Sequence, residues 1–266
     1  MSQLIDFYRE AEDYFFRGIS SKCLDLYDSA RIYMTSCAEL NFIYITKNTN
    51  ALDKILTEGT LFFEQYDLSF DVIIPQELCS PHIINVLYTM DYPQKSKSVS
   101  MVIDLDKFLF DQSVNLDHET LIKANNERLN DWMIPLIGAF ESTCDICRVY
   151  AATHENALKK NINLRHFSMY KTTPRPGLIP QEMPIASITL SMRDTTIARI
   201  DDLGTLPEFQ RKGYASALMR YALSEAKRLG AHHCFLESSD SGLGVYRKLG
   251  FEPLFQNNVY SRKASN

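Results

Sequence analysis

Glycine is nearly missing from the first half of this 266-residue chain: Gly18 and Gly59 are the only two before Gly138. A backbone that cradles a pyrophosphate needs glycine to come close to it, so the first half lacks a phosphate-binding glycine loop. Long apolar runs are missing too. The longest, Trp132 to Phe140, is broken by Pro135 and Gly138 and is far short of a membrane span. The first residues are rich in Asp and Glu and lack the basic-then-apolar pattern of a signal peptide, so a cytoplasmic protein is expected, with no membrane partner. The six cysteines lie scattered at 23, 37, 79, 144, 147 and 234, which is no disulfide framework for a chain of this size. Cys144-Asp-Ile-Cys147 is a lone CxxC without a second pair or nearby histidines. Two packed thiols beside a strand are the plainer reading, and no metal site is expected. No Lys/Arg tract occurs and the net charge is −5, which argues against nucleic-acid binding as the main business.

What is present is a globular composition, 45% hydrophobic and 23% charged, enough for one large or two medium domains. Charge is uneven. Residues 1–140 hold 11 Lys+Arg against 21 Asp+Glu, a net of −10, and residues 141–266 hold 17 against 12, a net of +5, which together make the −5 of the whole chain. A polyanionic ligand would favour the second half.

Along the chain, residues 3–36 read as helix with a break near Gly18. Phe7, Ala11, Tyr14, Phe15 and Ile19 mark one apolar face, and Leu24, Tyr27, Ala30 and Met34 the next. Leu40 to Ile45 reads as a strand, Asn50 caps a helix running towards Phe62, and Phe70 to Ile74 is a strand closed by Pro75. A helix over His82 to Met90 and a strand over Val99 to Ile103 follow. This alternation indicates a layered α/β unit rather than a bundle. Asp117 is read as the cap of a long helix carrying Leu121, Ile122, Leu129, Trp132 and Met133. The chain is then divided into 1–140 and 141–266, and Arg148 to Ala152 is expected to open the second part as a strand. Phe167 to Lys171 and Pro184 to Met192 are strands flanking a Pro-rich loop, Thr172 to Met183, which either borders the acceptor site or is a stiff connection. No internal sequence repeat is visible.

The stretch with the most chemistry runs from Asp201 to Leu229. Ile197, Ile200, Leu203 and Leu206 form a β-rich apolar run. Leu218, Tyr221, Ala222, Ala226 and Leu229 then recur at helical spacing, with Lys227 and Arg228 in the last turn and Gly230 at the left-handed stop. Between them lies a tight strand-to-helix loop, Gln210-Arg211-Lys212-Gly213-Tyr214-Ala215, whose N–H groups open the helix and offer an anion site. Downstream stands a strand through Leu236-Glu237-Ser238-Ser239 and then Tyr246-Arg247-Lys248-Leu249-Gly250-Phe251.

These two segments resemble the signatures of the GNAT N-acetyltransferases: Gln/Arg-x-x-Gly-x-Gly/Ala for acetyl-CoA, and Tyr-x-x-Leu-Gly-Phe. The resemblance covers roughly the last 120 residues. It implies a mixed, mostly antiparallel α/β sheet with flanking helices. It also implies direct transfer of acetyl from acetyl-CoA to an amine of a small molecule or peptide. By resemblance, Gln210 to Ser216 hold the phosphates, with Gly213 permitting close approach and Ala215 replacing the commoner Gly. Leu203-Gly204-Thr205 pairs with the pantetheine arm. Gly204 fits the kink or bulge that such a strand needs, or is a packing glycine. Ser239 contacts the cofactor. Tyr246 contacts it too and is the general acid: a phenol (pKa about 10) can protonate a departing thiolate (reference thiol near 8.5). Asp201 and Asp202 are the candidate bases. Being adjacent on a strand, they are expected to point to opposite faces, one towards the cleft. Glu237 is the third candidate, and His232 and His233 are set aside. The N-terminal half is open to two readings, a degenerate second copy of the same fold or an unrelated α/β extension. The alternative to an enzyme is a CoA-binding regulatory or interaction protein. A third reading is a longer-chain acyltransferase.

Overall fold

The structure, a computed structural model, describes residues 2–37, 40–109, 117–173, 181–239 and 242–262. It opens with helix α1 (Ser2–Ile19), strands β1 (Lys22–Leu26), β2 (Ala30–Met34) and β3 (Phe42–Ile45), helix α2 (Leu52–Glu64), strand β4 (Asp71–Pro75), helix α3 (Pro81–Thr89) and strand β5 (Gln94–Asp104). Then come β6 (Thr120–Ala124), α4 (Leu129–Ala139), α5 (Cys144–Lys159), β7 (Leu164–Thr173), β8 (Gln181–Met192), β9 (Ile197–Thr205), α6 (Tyr214–Arg228), β10 (His233–Ser238), α7 (Leu243–Lys248) and β11 (Glu252–Ser261). The strands form one sheet in the order β1-β2-β3-β4-β11-β5-β10-β9-β8-β7-β6. It is a mixed, mostly antiparallel α/β sheet with flanking helices; β3–β4 and β9–β10 are its parallel pairs.

Three expected elements differ. The second half of the 3–36 helix is the β1–β2 hairpin, closed over Tyr27 and Asp28, both at positive φ. Ala30, Ile32 and Met34 of β2 face one core while Tyr33 faces another. A strand buried on both faces reads as a continuous apolar run, which helical spacing fits as well as alternation does. The long helix from Asp117 is instead the strand β6 followed by α4. The Asp117 carboxylate accepts from the Thr120 hydroxyl at 2.6 Å and its carbonyl from the Thr120 N–H at 2.9 Å, so it closes a turn ahead of β6. Arg148 to Ala152 lies inside α5, not in a strand. The Thr143 hydroxyl caps that helix by accepting from Ile146 N–H at 3.2 Å. The two CxxC cysteines are therefore in the first turn of a helix, Cys144 exposed and Cys147 buried. Most of the Pro-rich loop, residues 174–180, lies outside the described residues.

The element order is written twice. Helix, hairpin, third strand, crossover helix, parallel strand, short helix and last strand run as α1-β1-β2-β3-α2-β4-α3-β5 and again as α5-β7-β8-β9-α6-β10-α7-β11. In both runs the first three strands pair antiparallel and the third pairs parallel with the strand after the crossover. The last strands are exchanged. β5 pairs with β10 of the second run, and β11 pairs with β4 of the first, so β5 and β11 lie side by side at the sheet's centre. One face of the sheet packs α2 and α6 over Ile43, Val72, Ile188, Ala198 and Leu236. The other is covered by α1, whose Tyr8, Ala11, Phe15, Phe16 and Ile19 span both runs, with α4 and α5 beside it.

Candidate active site

β9 and β10 pair at only three positions, ending at Phe235↔Arg199. Beyond that point they part, so the backbone of Asp201 to Thr205 and that of Leu236 to Ser238 have no registered pairing with one another. Unpaired main-chain groups between parallel strands are a slot that an extended, hydrogen-bonding chain can enter.

At one end of the slot is the α6 N-terminus. Gly213 is its N-cap at φ +87°, a conformation that costs a side-chain-bearing residue about 1–2 kcal/mol. A Cβ built there meets nothing within 4 Å, so the glycine serves the turn and leaves open space above it. No side chain caps the helix, which leaves the first-turn N–H groups of Tyr214, Ala215 and Ser216 aimed outward. Arg211, also at positive φ, and Lys212 are exposed. The Gln210 side chain donates to the Thr205 carbonyl at 3.1 Å and ties this loop to the end of β9. Leu203, Phe209, Tyr214 and Tyr246 pack half-buried against the same core. Ser239 stands exposed at the end of β10, where its carbonyl accepts from Gly242 and Leu243 and starts α7.

Across the slot, Tyr246 of α7 keeps its proton: burial first, then the Asp201 charge, push its phenol up to about 12. Such a phenol is protonated at neutral pH.

β9 carries a bulge. The step from Ser187 to Thr189 on β8 lies opposite the step from Asp201 to Gly204, so β9 has one residue more. The extra residue is Asp202 at φ +56°. Gly204, read as a bulge glycine or a packing glycine, is the second: a Cβ there would come within 2.8 Å of Leu136 Cδ2 and 3.0 Å of Ala139 Cβ on α4. The bulge also overturns the expectation that Asp201 and Asp202 face opposite ways. The extra residue breaks the alternation, and both carboxyls point to the α1/α5 face. Asp201 accepts from Arg199 Nε and Nη2, each at 2.9 Å. Asp202 Oδ1 accepts from the Tyr150 hydroxyl of α5 at 2.8 Å. Glu237 is on this face as well, held by Asn257 Nδ2 at 2.9 Å and by the Ser98 hydroxyl.

Arg199 organises this face. It is 2% exposed, and its guanidinium lies 5.4 to 5.9 Å from the rings of Tyr8, Phe15 and Phe16. Glu12 of α1 comes within 3.9 Å of its Nη1 and accepts from Tyr8 at 3.0 Å. Burial raises the Glu12 carboxyl to about 8 in spite of Arg199. Burial likewise raises Asp201, with Arg199 opposing. For Asp202, burial and then the Asp201 charge raise it to about 7. Sequence reasoning missed Arg199, Glu12, Tyr150 and His154. An Arg-x-Asp spacing on a strand was one available signal; Tyr150 and His154, four apart, share a helix face that a strand reading hides.

Residues 147–251 match the profile of the Acetyltransferase (GNAT) family. Those residues belong to the GNAT family. The fold is similar to that of solved structures over nearly the whole chain. A GCN5-related N-acetyltransferase from Kribbella flavida superposes with a TM-score of 0.65 over 97% of this chain and 96% of that one, at 14% identity. A tandem GNAT protein from the clavulanic acid biosynthesis pathway superposes with a TM-score of 0.61 over 97% and 89%, at 9% identity. At such identities the likeness is one of fold, and it extends over both runs of elements. Among curated proteins, an uncharacterized N-acetyltransferase, CgeE of Bacillus subtilis (strain 168), is 42% identical over 57 residues. That stretch is 21% of this chain and 22% of CgeE, so the likeness spans about a fifth of that protein. In the GNAT segment the Gly213 turn and the Tyr246 helix flank the β9–β10 opening.

Proposed function

We propose that this chain is an N-acetyltransferase that moves the acetyl group of acetyl-CoA to an amine of a small molecule or peptide by direct transfer in a ternary complex. The parting of β9 from β10 beside the uncapped α6 N-terminus carries the reading. In it, Gly213 to Ser216 donate N–H groups to the phosphates, with Gln210, Arg211 and Lys212 in the same loop. Leu203, Gly204 and Thr205 give main-chain partners to the pantetheine arm, and a β9 N–H at the bulge polarises the acetyl carbonyl. Ser239 lies at the other lip. Tyr246 protonates the leaving thiolate, and a carboxylate of β9 takes the amine proton. The net charge of −10 on residues 1–140 suits a cationic acceptor. No helix among the described residues is long and apolar enough to cross a membrane, and we place the reaction in the cytoplasm.

Among the described residues, the first run lacks the glycine turn of this site. α2, its counterpart of α6, has Ala51 at φ −105° as its N-cap, not the expected Asn50 and not a left-handed glycine. Titration calorimetry is therefore expected to give one acetyl-CoA per chain, abolished by Gly213→Glu, which puts bulk and negative charge at the cradle; acetylation of amines in a screen would follow. Failure of the wild-type chain to bind acetyl-CoA or CoA would sink the enzyme reading. Binding without turnover on any amine would leave a CoA-binding regulatory protein.

A further inference from the structure

Behind the β9 bulge lies a buried pair of histidines whose hydrogen bonds determine where the protons are. His154 of α5 and His166 of β7 are both fully buried. Their rings meet at 2.8 Å, His154 Nδ1 to His166 Nε2. The far nitrogen of His166, Nδ1, lies 3.0 Å from Asn126 Oδ1. The orientation of that amide is not free. Its Oδ1 accepts the His166 backbone N–H at 2.8 Å, and its Nδ2 donates to the Leu164 carbonyl at 2.9 Å. Turning it over would set donor against donor and acceptor against acceptor.

The consequences run in one direction. Asn126 Oδ1 can only accept, so His166 carries its proton on Nδ1 and its Nε2 is bare. His154 must then donate from Nδ1, which leaves its Nε2 bare. That lone pair faces Asp202 Oδ2 at 3.8 Å, and both atoms are buried without a hydrogen-bond partner. Around His154, the rings of Trp132, Tyr150 and Phe15 stand 4.6 to 5.9 Å from the imidazole. Two proton acceptors 3.8 Å apart in a buried enclosure repel, and one proton between them lets the pair close into a hydrogen bond.

We propose that Asp202 is held as the neutral acid, sharing its single proton with His154 Nε2, and that Asp201 is left as the one ionised carboxyl of the bulge. His154 is thus a positioning residue, and His166 with Asn126 fixes its tautomer. The assignment of the amine's proton to Asp201 rests on the acetyl-transfer reading; the protonation of Asp202 does not. Charge around the pair agrees with it. Burial holds both imidazoles well below their usual range, so neither takes the proton as an imidazolium. Burial first, and then Asp201 beside it on β9, raises the Asp202 carboxyl. Tyr150 from α5, Thr189 from β8 and Arg199 on β9 itself act the other way.

The test needs neither acetyl-CoA nor an acceptor, so its failure is separable from failure of the transferase reading. In wild-type protein labelled with 15N-histidine, long-range 1H–15N correlation at about pH 6 is expected to show His154 and His166 both neutral and both protonated on Nδ1. Infrared difference spectroscopy of wild type against Asp202→Asn is expected to show one buried carboxylic-acid carbonyl band, lost as pH rises through about 7. His154→Phe should shift that band to the higher frequency of an unbonded acid. An Nε2–H or doubly protonated His154, or a carboxylate signal from Asp202 at about pH 6, overturns the proposal. The tautomer measurement uses no variant, so a variant that fails to fold does not leave the matter open.

Discussion

Arg199→Met removes the charge that holds the buried face together and keeps the stem that lies over Tyr8, Phe15 and Phe16. The Arg199–Asp201 contacts at 2.9 Å correspond to a Coulomb attraction of about 6 kcal/mol at an effective dielectric near 20. Desolvation offsets part of it, and removing one partner of such a pair typically costs about 3–5 kcal/mol because the other is left buried and uncompensated. For a chain of this size that is a fall in Tm on the order of 10 °C. The sign of the pH dependence follows from the neighbours. Arg199 lowers the carboxyls of Glu12, Asp201 and Asp202. Without it their folded-state values move further above the unfolded ones, near 4. Stability is then whole below the unfolded values and drains as pH rises through the folded ones. Urea unfolding should therefore show a wide gap between wild type and variant at about pH 8 and a narrow one at about pH 5. Adding Asp201→Asn to Arg199→Met should recover part of the loss, since no charge is then stranded. Equal losses at both pH values, or a double variant no better than the single one, refute an electrostatic role for Arg199.

Tyr246→Phe should lower the acetylation rate by about 10²–10⁴-fold with acetyl-CoA affinity held within a few-fold in calorimetry; an unchanged rate removes the acid role. Gly204→Ala should cost about 1–3 kcal/mol in urea unfolding, because its Cβ overlaps Leu136 and Ala139 of α4. A neutral outcome would mean that α4 is not held tightly against β9. Gly59→Ala should destabilise similarly, its Cβ falling 2.2 Å from Ile43 Cδ1, yet leave acetyl-CoA affinity intact, since α2 is remote from the slot.

How much of this was legible depended on whether a signal was local. The Gly213 loop, α6 and the Gly230 stop are set by neighbours in sequence, and they stand as expected, with Gly213 and Gly230 both at positive φ. Strands β3, β4, β7 and β8 were found for the same reason. The β1–β2 hairpin and α5 were not. β2 is buried on both faces, and Arg148 to Ala152 carries no capping signal of its own, the cap being Thr143 upstream. The bulge at Asp202 has no sequence mark at all. It exists because β8 and β9 pair two residues against three, a non-local fact, and it alone turns both aspartates to one face. Glu12 and Arg199 are 187 positions apart in sequence, so no spacing rule joins them.

The exchange of last strands makes a further demand that a split after residue 140 does not meet. A fragment of residues 141–266 would carry the loop of Gly213 and the helix of Tyr246 but not β5. β10 would lose all six of its registered partners there, and β11 would lose both neighbours, β5 and β4. β7 would lose β6, and α1 and α4 would no longer cover Arg199, Phe235 and Gly204. Unpaired edges over an exposed apolar face are aggregation sites. We therefore expect this fragment to be insoluble or to unfold without cooperativity. A pair of fragments that meet between residues 109 and 117 keeps every registered strand pair, and should assemble on co-expression and bind acetyl-CoA. Cooperative unfolding and acetyl-CoA binding by 141–266 alone would show instead that the exchanged strands are dispensable. The GNAT segment would then be a module to which the first run is merely attached.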